Sequence, residues 1–347
     1  MTDRKWWHPA RHRDRRPFLL QRGQVRRALS DWFAREGFLE VECAALQVSP
    51  GNETHLHAFE TEFRTDDGQV SPLYLHTSPE FSCKKLLAAG EEKIVDFSRV
   101  FRNRESGPLH SPEFTMVEWY RTGADLQAVM QDTVDLCREA LKTTGQPALV
   151  WKGRTCDPGL TPDYLTLTEA FHKHAKTDLD GLLDDRDGFL DAARRAGVGV
   201  PDDASWSDIF SAVLVTLIEP ALGDDRLTVL HRYPVCEAAL ARACPDDPRF
   251  AERFELYACG VELANGFHEL TDAGEQRARF EADMALKQEI YGERYPIDEN
   301  FLAALSHMPE ASGVALGFDR LVMLASGARH INDVLWTPFP IDDRSTA

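Results

Sequence analysis

The sequence predicts an α+β fold in which helices flank an antiparallel sheet. Strand-like segments occur in neighbouring pairs, as in hairpins, and are followed by helical segments and then by further strands. This order is typical of α+β rather than βαβ proteins. The chain has 347 residues, 43% of them hydrophobic, including 19 Phe and 7 Trp. A chain of this length and composition can bury a large core without disulfides or a structural metal.

The first elements alternate between helix and strand. Apolar residues at helical spacing predict a helix over residues 21–36, which ends at Gly37. Alternating polarity predicts a strand over residues 38–42 and two more over residues 57–63 and 74–77. An Asp-Asp-Gly sequence between the last two favours a turn.

Ser78 is the predicted cap of a helix that begins at Pro79. Two strands, residues 94–103 and 114–121, then enclose a polar loop. A helix over residues 125–142 follows.

The second half begins with residues 145–225, which are predicted to form a mostly helical insertion with Gly and Pro breaks. Strand patterning returns at residues 227–231 and 254–264. A helix over residues 274–291 follows. Residues 312–325 close the pattern as a strand that leads into a helix.

The charge and the ends of the sequence limit the class of protein. The net charge is −18, from 57 acidic and 39 basic residues, which disfavours a broad contact with nucleic acid. Residues 1–17 are basic and are predicted to be a flexible arm ahead of one domain, residues 18–347. No segment is apolar enough for a membrane span or a secretory signal, so we expect a cytoplasmic protein without a membrane partner.

The seven cysteines are scattered and contain no CxxC pair. This pattern indicates free thiols in a reducing compartment rather than a zinc site or a disulfide framework.

Four segments carry side chains that suit nucleotide chemistry. They are Thr77-Ser78-Pro79-Glu80, residues 101–120, residues 255–269 and residues 312–320. Together they offer two arginines for phosphates, two carboxylates for Mg²⁺ and further carboxylates for an amino group. Each alone also fits an ordinary surface ion pair or a solvated face. Their occurrence in one chain favours ATP-dependent activation of an amino acid.

The glutamates Glu255, Glu262 and Glu269 are spaced by seven residues. The spacing alone also fits one solvated face. A tight turn near Gly260 would instead place Glu255 and Glu262 opposite each other on a sheet, where like charges repel. A divalent cation with oxygen ligands relieves such repulsion.

The segment FRNRESGPLHSPEFTMVEWY is similar to motif 2 of class II aminoacyl-tRNA synthetases of the lysyl type. VELANGFHELTDAGEQRARF and SGVALGFDRLVML resemble the next segment and motif 3 of those enzymes, and the likeness spans residues 18–328. No counterpart of their anticodon-binding domain is found. In this respect and in its SGVALG sequence, the chain resembles the EpmA/PoxA/GenX family, whose members attach (R)-β-lysine to elongation factor P. The resemblance implies a six-stranded antiparallel class II sheet and a homodimer.

The resemblance also implies a binding site for ATP and Mg²⁺. Arg102 and Arg320 would be catalytic, on the α- and γ-phosphates. The other ATP-binding residues would be Asn103, Arg104, His110, Ser111, Phe114, Glu262, Leu263 and Gly317. Glu255 and Glu262 would hold Mg²⁺.

The amino acid would be bound by Ser78, Pro79, Glu80, Tyr120, Glu269 and Ala315. Glu80 would pair with the amino group nearest the carboxylate, and Tyr120 and Glu269 with the ε-ammonium. Lysyl synthetases have Gly where this chain has Ala315. The additional methyl group would crowd an α-amino group and favour a β-amino group.

Three positions depart from the family pattern. Ala44 replaces a motif 1 proline at the dimer contact, and Ser111 replaces an asparagine. Arg104 replaces the glutamate that reads the adenine amino group, and a cation cannot accept that hydrogen bond. The adjacent Glu105, or the backbone, could take over this role.

The sequence thus favours a ligase that forms an aminoacyl-adenylate and transfers the acyl group to a lysine of elongation factor P, with no tRNA as acceptor. Two alternatives stay open. One is the same chemistry with another acceptor, a tRNA or a free amine. The other is a catalytically silent protein that binds an amino acid and regulates a partner.

Overall fold

The computed structural model describes residues 5–238 and 240–339. Residues 1–4 of the predicted arm and 340–347 of the predicted domain lie outside the described residues. The strands are β1 (Leu39–Val41), β2 (Leu46–Gln47), β3 (Phe59–Arg64), β4 (Val70–Leu75), β5 (Lys93–Phe101), β6 (Glu113–Thr122), β7 (Leu149–Trp151), β8 (Arg154–Cys156), β9 (Asp163–Thr166), β10 (Thr228–Pro234), β11 (Phe250–Ala258), β12 (Val261–His268) and β13 (Ala311–Gly317). The α-helices are α1 (Pro9–Arg35), α2 (Glu80–Ala88), α3 (Leu126–Thr144), α4 (Leu167–Ala170), α5 (Arg186–Arg195), α6 (Trp206–Val213), α7 (Ala273–Tyr291), α8 (Glu299–Leu305), α9 (Phe318–Ser326) and α10 (Ile331–Val334).

The main sheet has eight strands in the order β1-β5-β6-β13-β12-β11-β10-β9, so the prediction of six strands was wrong. The strands from β5 to β10 in this order form an antiparallel run of six. The short strands β1 and β9 pair in parallel at the two edges. A separate small sheet has the order β2-β4-β3.

The hairpin of β11 and β12 turns at Cys259-Gly260, where φ is positive at both positions. This geometry matches the right-handed twist of the flanking strands and favours glycine. A bulge at Leu263 of β12 shifts the register by one residue, and Glu255 pairs with Asn265 whereas Glu262 pairs with Tyr257. The expectation that Glu255 and Glu262 lie directly opposite each other was therefore wrong.

One face of the main sheet is apolar and packs against α1, α3 and α9. Val117 and Trp119 of β6 are fully buried there with Leu29 and Phe33 of α1. The rings of Phe33 and Trp119 lie 5.5 Å apart between centroids. Residues at alternate positions of β6 point to the opposite face.

The opposite face is partly covered by α2, α7 and α8. Phe81, Phe280 and Phe301 of these helices pack with Ile94 and Tyr120 of the sheet. The rings of Phe81 and Phe301 stack with centroids 4.0 Å apart. The central strands beyond this cluster line a cavity.

Helix α1 begins at Pro9, so residues 9–17 of the predicted flexible arm are helical. The helix continues through Pro17. Arg15 is 1% exposed, and its guanidinium donates to two backbone carbonyls of residues 332–335. These contacts anchor the basic start of α1 to the end of the fold, whereas its charge alone predicts a solvated tail.

The predicted helical insertion, residues 145–225, starts with three strands, β7 to β9, and is helical from Leu167 onward. Its helices enclose their own apolar cluster, which includes Phe171, Phe189 and Phe210. The early strands were missed because runs of three or four residues are too short to show alternation.

Among the described residues, no helix has both the length and the apolar character needed to cross a membrane.

Candidate active site

A row of five side chains crosses the open face of the main sheet. The strand register places Asp96 opposite Glu118, and Glu118 opposite Ala315. It also places Ala315 opposite Asn265, and Asn265 opposite Glu255. Directly opposed residues project from the same face. The row therefore gathers four polar side chains and Ala315, from five strands, on one surface.

A cavity of about 600 Å³ opens over this row. Its volume suits a ligand the size of a nucleotide bearing a small acyl group. The predicted site residues that line it are Ser78, Glu80, Arg102, His110, Ser111, Phe114, Glu262, Leu263, Ala315, Gly317 and Arg320. Those outside its lining are Pro79, Asn103, Arg104, Tyr120, Glu255 and Glu269.

A buried lysine joins two of the predicted substrate-binding glutamates. Nζ of Lys84 lies 2.5 Å from a carboxylate oxygen of Glu80 and 2.6 Å from one of Glu269. Glu80 lies one helical turn before Lys84 on α2, which brings the first pair together. Burial lowers the pKa of Lys84, but Glu269 and Glu80 more than offset this and raise it. Lys84 is therefore a fixed, buried cation behind Glu80, which lines the cavity.

Glu118 lines the cavity and accepts two hydroxyl hydrogen bonds. Ser78 donates at 2.5 Å and Tyr120 at 3.0 Å. Ser78 also accepts from the backbone N–H of Glu80, the first residue of α2, at 3.0 Å, although the N-cap position is Pro79 rather than the predicted Ser78. Burial, together with the nearby charge of Glu80, raises the pKa of Glu118 to about 8. Among the described residues no cation pairs with Glu118.

The amine end of the cavity, defined here as Glu80, Lys84, Glu118, Tyr120 and Glu269, holds three carboxylates and one ammonium group. Lys84 can balance one negative charge, so full ionisation would leave two carboxylates without a cation. Burial raises the pKa of Glu269, and the ammonium of Lys84 opposes this. Because an unpaired buried charge is costly, the arrangement favours a ligand that brings two positive charges.

Gly313 of β13 allows the amine end to close. A Cβ atom at this position would lie 2.3 Å from the Tyr120 ring and 2.6 Å from Oε1 of Glu269. Both distances are far below van der Waals contact. Tyr120 and Glu269 do not line the cavity themselves; Tyr120 contacts Glu118, and Glu269 contacts Lys84.

The phosphate end of the cavity, defined here as Arg102, His110, Phe114, Glu262 and Arg320, holds its charges in mutual contacts. Arg320 donates to Nε2 of His110 at 2.7 Å and to the Glu262 carboxylate at 3.2 Å. Burial and the charge of Arg320 lower the pKa of His110, so the neutral ring accepts this hydrogen bond. Arg320 also lies in the first turn of α9, where backbone N–H groups favour anions.

Arg102 lies beside the aromatic ring that is predicted to stack on adenine. Its guanidinium is 5.4 Å from the centroid of Phe114, and Nε donates to the Thr77 carbonyl at 3.4 Å. Oγ of Ser111 and Oδ1 of Asn265 are buried without a hydrogen-bond partner in the described structure. Both residues line the cavity, so a ligand would satisfy them.

Gly317 borders the cavity without being required by packing. A Cβ atom there would meet only ordinary contacts, 3.6 Å from Cδ of Arg320 and 3.7 Å from the Leu263 carbonyl oxygen. The space above this glycine is therefore part of the cavity.

Arg104 points away from the cavity. Its guanidinium lies 5.7 Å from the centroid of the ring of Tyr291, the last residue of α7, and pairs with Glu293, two residues farther along. Its backbone N–H donates to Oδ1 of Asn103 at 2.9 Å, and its φ is 67°. Glu105 lines the cavity instead. The predicted contact of Arg104 with ATP is thus replaced by an ion pair, and Glu105 is the acidic side chain that faces the ligand space.

Glu255 is tied to its own strand. Arg253 donates to one carboxylate oxygen at 2.7 Å and Tyr257 to the other at 2.5 Å. Tyr257 also lies 3.4 Å from Glu219. Burial, Glu255 and Glu262 raise the pKa of Glu219 to about 7. These carboxylates place an excess of negative charge beside the phosphate end.

The sequence did not reveal several residues of the site. Lys84 lies in a predicted helix, and Glu118 and Asn265 lie in predicted strands. The sequence assigned no role to any of the three. Glu219 lay in the insertion, where no motif was found. A signal was available for Glu118, because its position on β6 alternates with the apolar Trp119 and so faces away from the core.

Two comparisons with known proteins agree with this geometry. A family model described as tRNA synthetases class II (D, K and N) matches residues 3–343. A protein of Haemophilus influenzae (strain PittGG) named elongation factor P–(R)-β-lysine ligase is 39% identical over 94% of this chain and 95% of its own length. Proteins of the same name from Haemophilus ducreyi and Klebsiella pneumoniae (strain 342) are 39% identical over 91% and 96% of the chain, and over 92% and 98% of their own lengths. The chain belongs to the class II tRNA synthetase family and, within it, to the family of the elongation factor P–(R)-β-lysine ligases.

Proposed function

We propose that this protein activates (R)-β-lysine with ATP and transfers it to a lysine side chain of elongation factor P. One observation carries the proposal: the amine end holds the buried carboxylates of Glu118 and Glu269 and the partly exposed carboxylate of Glu80 against the single cation of Lys84. A β-lysine molecule brings two ammonium groups, and its carboxylate is left free to react. The names of the relatives supply the identity of the acceptor.

In the first step the substrate carboxylate attacks the α-phosphorus of ATP. A bond forms between a carboxylate oxygen and phosphorus, the bond to the bridging oxygen breaks, and pyrophosphate leaves. A carboxylate is already nucleophilic, so positioning suffices without a general base. Arg102 stabilises the charge at the α-phosphate. Arg320 gives up its contacts with His110 and Glu262 and binds the γ-phosphate instead.

The residues near Glu255 fit a divalent cation. Glu219 has a raised pKa because it is buried near Glu255 and Glu262. We propose that Glu255 and Glu262 hold Mg²⁺, which would neutralise phosphate charge when bound.

Adenine recognition falls to Phe114 and Glu105. Phe114 supplies a ring face at the cavity wall, and the Glu105 carboxylate can accept from the adenine amino group. Glu105 lies 4.0 Å from Arg102, so its charge also orients that guanidinium.

The selectivity for a β-amino group rests on Ala315. Its methyl group lies between Glu118 and Asn265 in the polar row. It therefore narrows the space beside the carboxylates that bind the amine. An amino group one carbon farther from the carboxylate clears this methyl group.

In the second step the neutral amine of the acceptor lysine attacks the acyl carbonyl. A carbon–nitrogen bond forms, the bond to the phosphate oxygen breaks, AMP leaves, and the amine loses a proton. Glu53, Glu237 and Asp283 also line the cavity, and burial raises the pKa of each. This acidic wall suits a lysine side chain better than the phosphates of a tRNA, as does the net charge of −18. Elongation factors act in the cytoplasm, where we expect this enzyme.

We also propose a homodimer. Leu39, Leu46, Val48 and Phe63, on or beside the first three strands, are each 50% exposed or more. We take these exposed apolar side chains, which all lie within residues 39–63, as part of a protein–protein interface. Ala44 lies in the same stretch. Sedimentation at micromolar concentration should give twice the chain mass of 39.1 kDa.

The acceptor can be tested directly. The enzyme is incubated with ATP, Mg²⁺ and (R)-β-lysine, together with elongation factor P or total tRNA from the same organism. We expect the mass of the factor to rise by one β-lysyl unit and the tRNA to remain uncharged. The Arg102→Ala protein serves as the inactive control. Charged tRNA beside an unmodified factor would favour the other-acceptor alternative, and no adenylate with any amino acid would favour a silent binding protein.

A further inference from the structure

Two cysteines that the proposed reaction does not use lie in contact at one end of the polar row. Sγ of Cys43 is 3.6 Å from Sγ of Cys83, and an Asp96 carboxylate oxygen lies within 4.8 Å of both sulfur atoms. Cys43 follows β1, and Cys83 lies on α2 directly before Lys84. The packing of α2 on the edge of the sheet brings the two thiols together from 40 positions apart.

We propose that Cys43 and Cys83 are a peroxide-oxidisable dithiol whose disulfide distorts the amine end of the active site. The effect on activity rests on the proposed function, whereas the formation of the disulfide does not.

The two thiols differ in access, which assigns their roles. Cys43 is half-buried and Cys83 is fully buried, so a peroxide in solution meets Cys43 first. Hydrogen peroxide transfers one oxygen to the Cys43 sulfur: an S–O bond forms, the O–O bond breaks and water leaves. The product is a sulfenic acid, which condenses with a neighbouring thiol.

Cys83 then attacks the oxidised sulfur of Cys43. An S–S bond forms, the S–O bond breaks, and the hydroxide takes a proton to leave as a second water. The contact with Cys43 and burial raise the pKa of the Cys83 thiol, so it needs a base. Asp96 is placed to accept this proton, and burial raises the pKa of its carboxyl group, which makes it a stronger base.

The disulfide requires the two sulfur atoms to approach from 3.6 Å to about 2.0 Å. Cys83 lies three residues after Glu80 and next to Lys84 on the same helix. Drawing this turn of α2 towards β1 moves the side chains of Glu80 and Lys84 relative to Glu269, which directly follows β12 and does not move with the helix. A misplacement of about 1 Å in an active site can reduce the rate by roughly 10²-fold.

The same three groups could instead hold zinc. Among the described residues, however, only Cys43, Cys83 and Asp96 come together here as donors, whereas a structural zinc site closes with four. A disulfide needs only the two thiols already in contact.

The test treats the full-length protein with a small molar excess of hydrogen peroxide. Non-reducing peptide mapping should give one cross-linked peptide pair containing Cys43 and Cys83. Pyrophosphate exchange dependent on β-lysine should fall by roughly 10- to 100-fold and return after dithiothreitol. The Cys43→Ser protein, or Cys43→Ala if the first folds poorly, should keep its exchange rate under the same treatment. Cys236 is exposed and lines the cavity, so the effect of the disulfide is measured as the difference in peroxide-dependent loss between the parent and the Cys43 variant, both of which contain Cys236.

Three results would overturn the proposal. The cross-linked pair could be absent, the Cys43 variant could be inactivated as fast as the parent, or the protein could carry about one zinc per chain that is lost in that variant. A protein with no exchange activity before oxidation would contradict the proposed function, but the peptide map would still test the disulfide.

Discussion

The amine end and the phosphate end of the cavity hold their charges in different ways. Lys84, Glu118 and Glu269 are at most 2% exposed, and their partners are fixed by the sheet and by α2. At the phosphate end the side chains of Arg102 and Arg320 are 24% and 21% exposed. Arg102 contacts Glu105, and Arg320 contacts His110 and Glu262. Phosphate oxygens can replace these partners.

This difference indicates that the amine end determines substrate specificity and the phosphate end stabilises the transition state. Buried, prearranged charges discriminate strongly, because a ligand that lacks one ammonium group leaves a carboxylate unpaired. Partly exposed arginines discriminate little among nucleotides but stabilise the charge that develops on phosphate. Substitutions at the two ends should therefore have different kinetic signatures.

The largest effect is expected at the phosphate end. Arg102→Ala and Arg320→Ala each remove a donor to phosphate, so amino-acid-dependent pyrophosphate exchange should fall by roughly 10²–10³-fold. The Michaelis constant for β-lysine should change little. Exchange within a few-fold of the parent in either purified variant would remove these arginines from the mechanism.

A smaller effect, of the opposite kind, is expected at the amine end. Glu269→Gln keeps the size of the side chain but removes its charge, so affinity for β-lysine should fall by about 1.5–3 kcal/mol, with ATP affinity unchanged. The matched control is Glu113→Gln, whose side chain is 49% exposed. Equal affinities in both variants would show that the ammonium groups bind elsewhere.

The pH dependence of binding should distinguish the amine end from the phosphate end. The affinity for β-lysine should change by up to about tenfold per pH unit. Glu118 has a pKa near 8 in the empty site, so it is largely protonated at pH 6.5, and binding of an ammonium group must release its proton. Affinity for β-lysine should therefore rise with pH and level off above about 8. Calorimetry from pH 6.5 to 8.5 checks this, and Glu118→Gln should flatten the profile. A profile that falls with pH would contradict the sign.

The smallest effect is expected at Ala315, on the wall between the ends. Ala315→Gly removes one methyl group and should shift the preference toward α-lysine by about 10-fold, the scale of one methylene in a pocket. The ratio of exchange rates with α- and β-lysine measures it. An unchanged ratio would mean that another group excludes the α-amino group.

The sequence predicted the phosphate end better than the amine end for a physical reason. Arg102, His110 and Phe114 belong to one hairpin, so a contiguous segment determines their proximity. The roles of Lys84 and Glu118 depend instead on the rotation of α2 over the sheet and on the strand register. Neither the rotation of the helix nor the strand register can be predicted from a local pattern of residues.

Distant partners account for the other differences. Arg104 turns outward because Glu293, 189 positions away, receives its guanidinium. The basic start of α1 is helical because the buried Arg15 reaches backbone carbonyls more than 300 positions away. The parallel edge strands β1 and β9 have three and four residues, so alternation within them gave no signal for an eight-stranded sheet.

The central claim is that the amine end requires two ammonium groups, and a panel of substrates tests it most directly. Pyrophosphate exchange is measured with (R)-β-lysine, 3-aminohexanoate and 6-aminohexanoate, the last two each lacking one amine. We expect exchange with β-lysine and a loss of at least roughly 10²-fold with either monoamine, since each leaves a buried carboxylate unpaired. Comparable exchange with either monoamine would contradict the charge count on which the account rests.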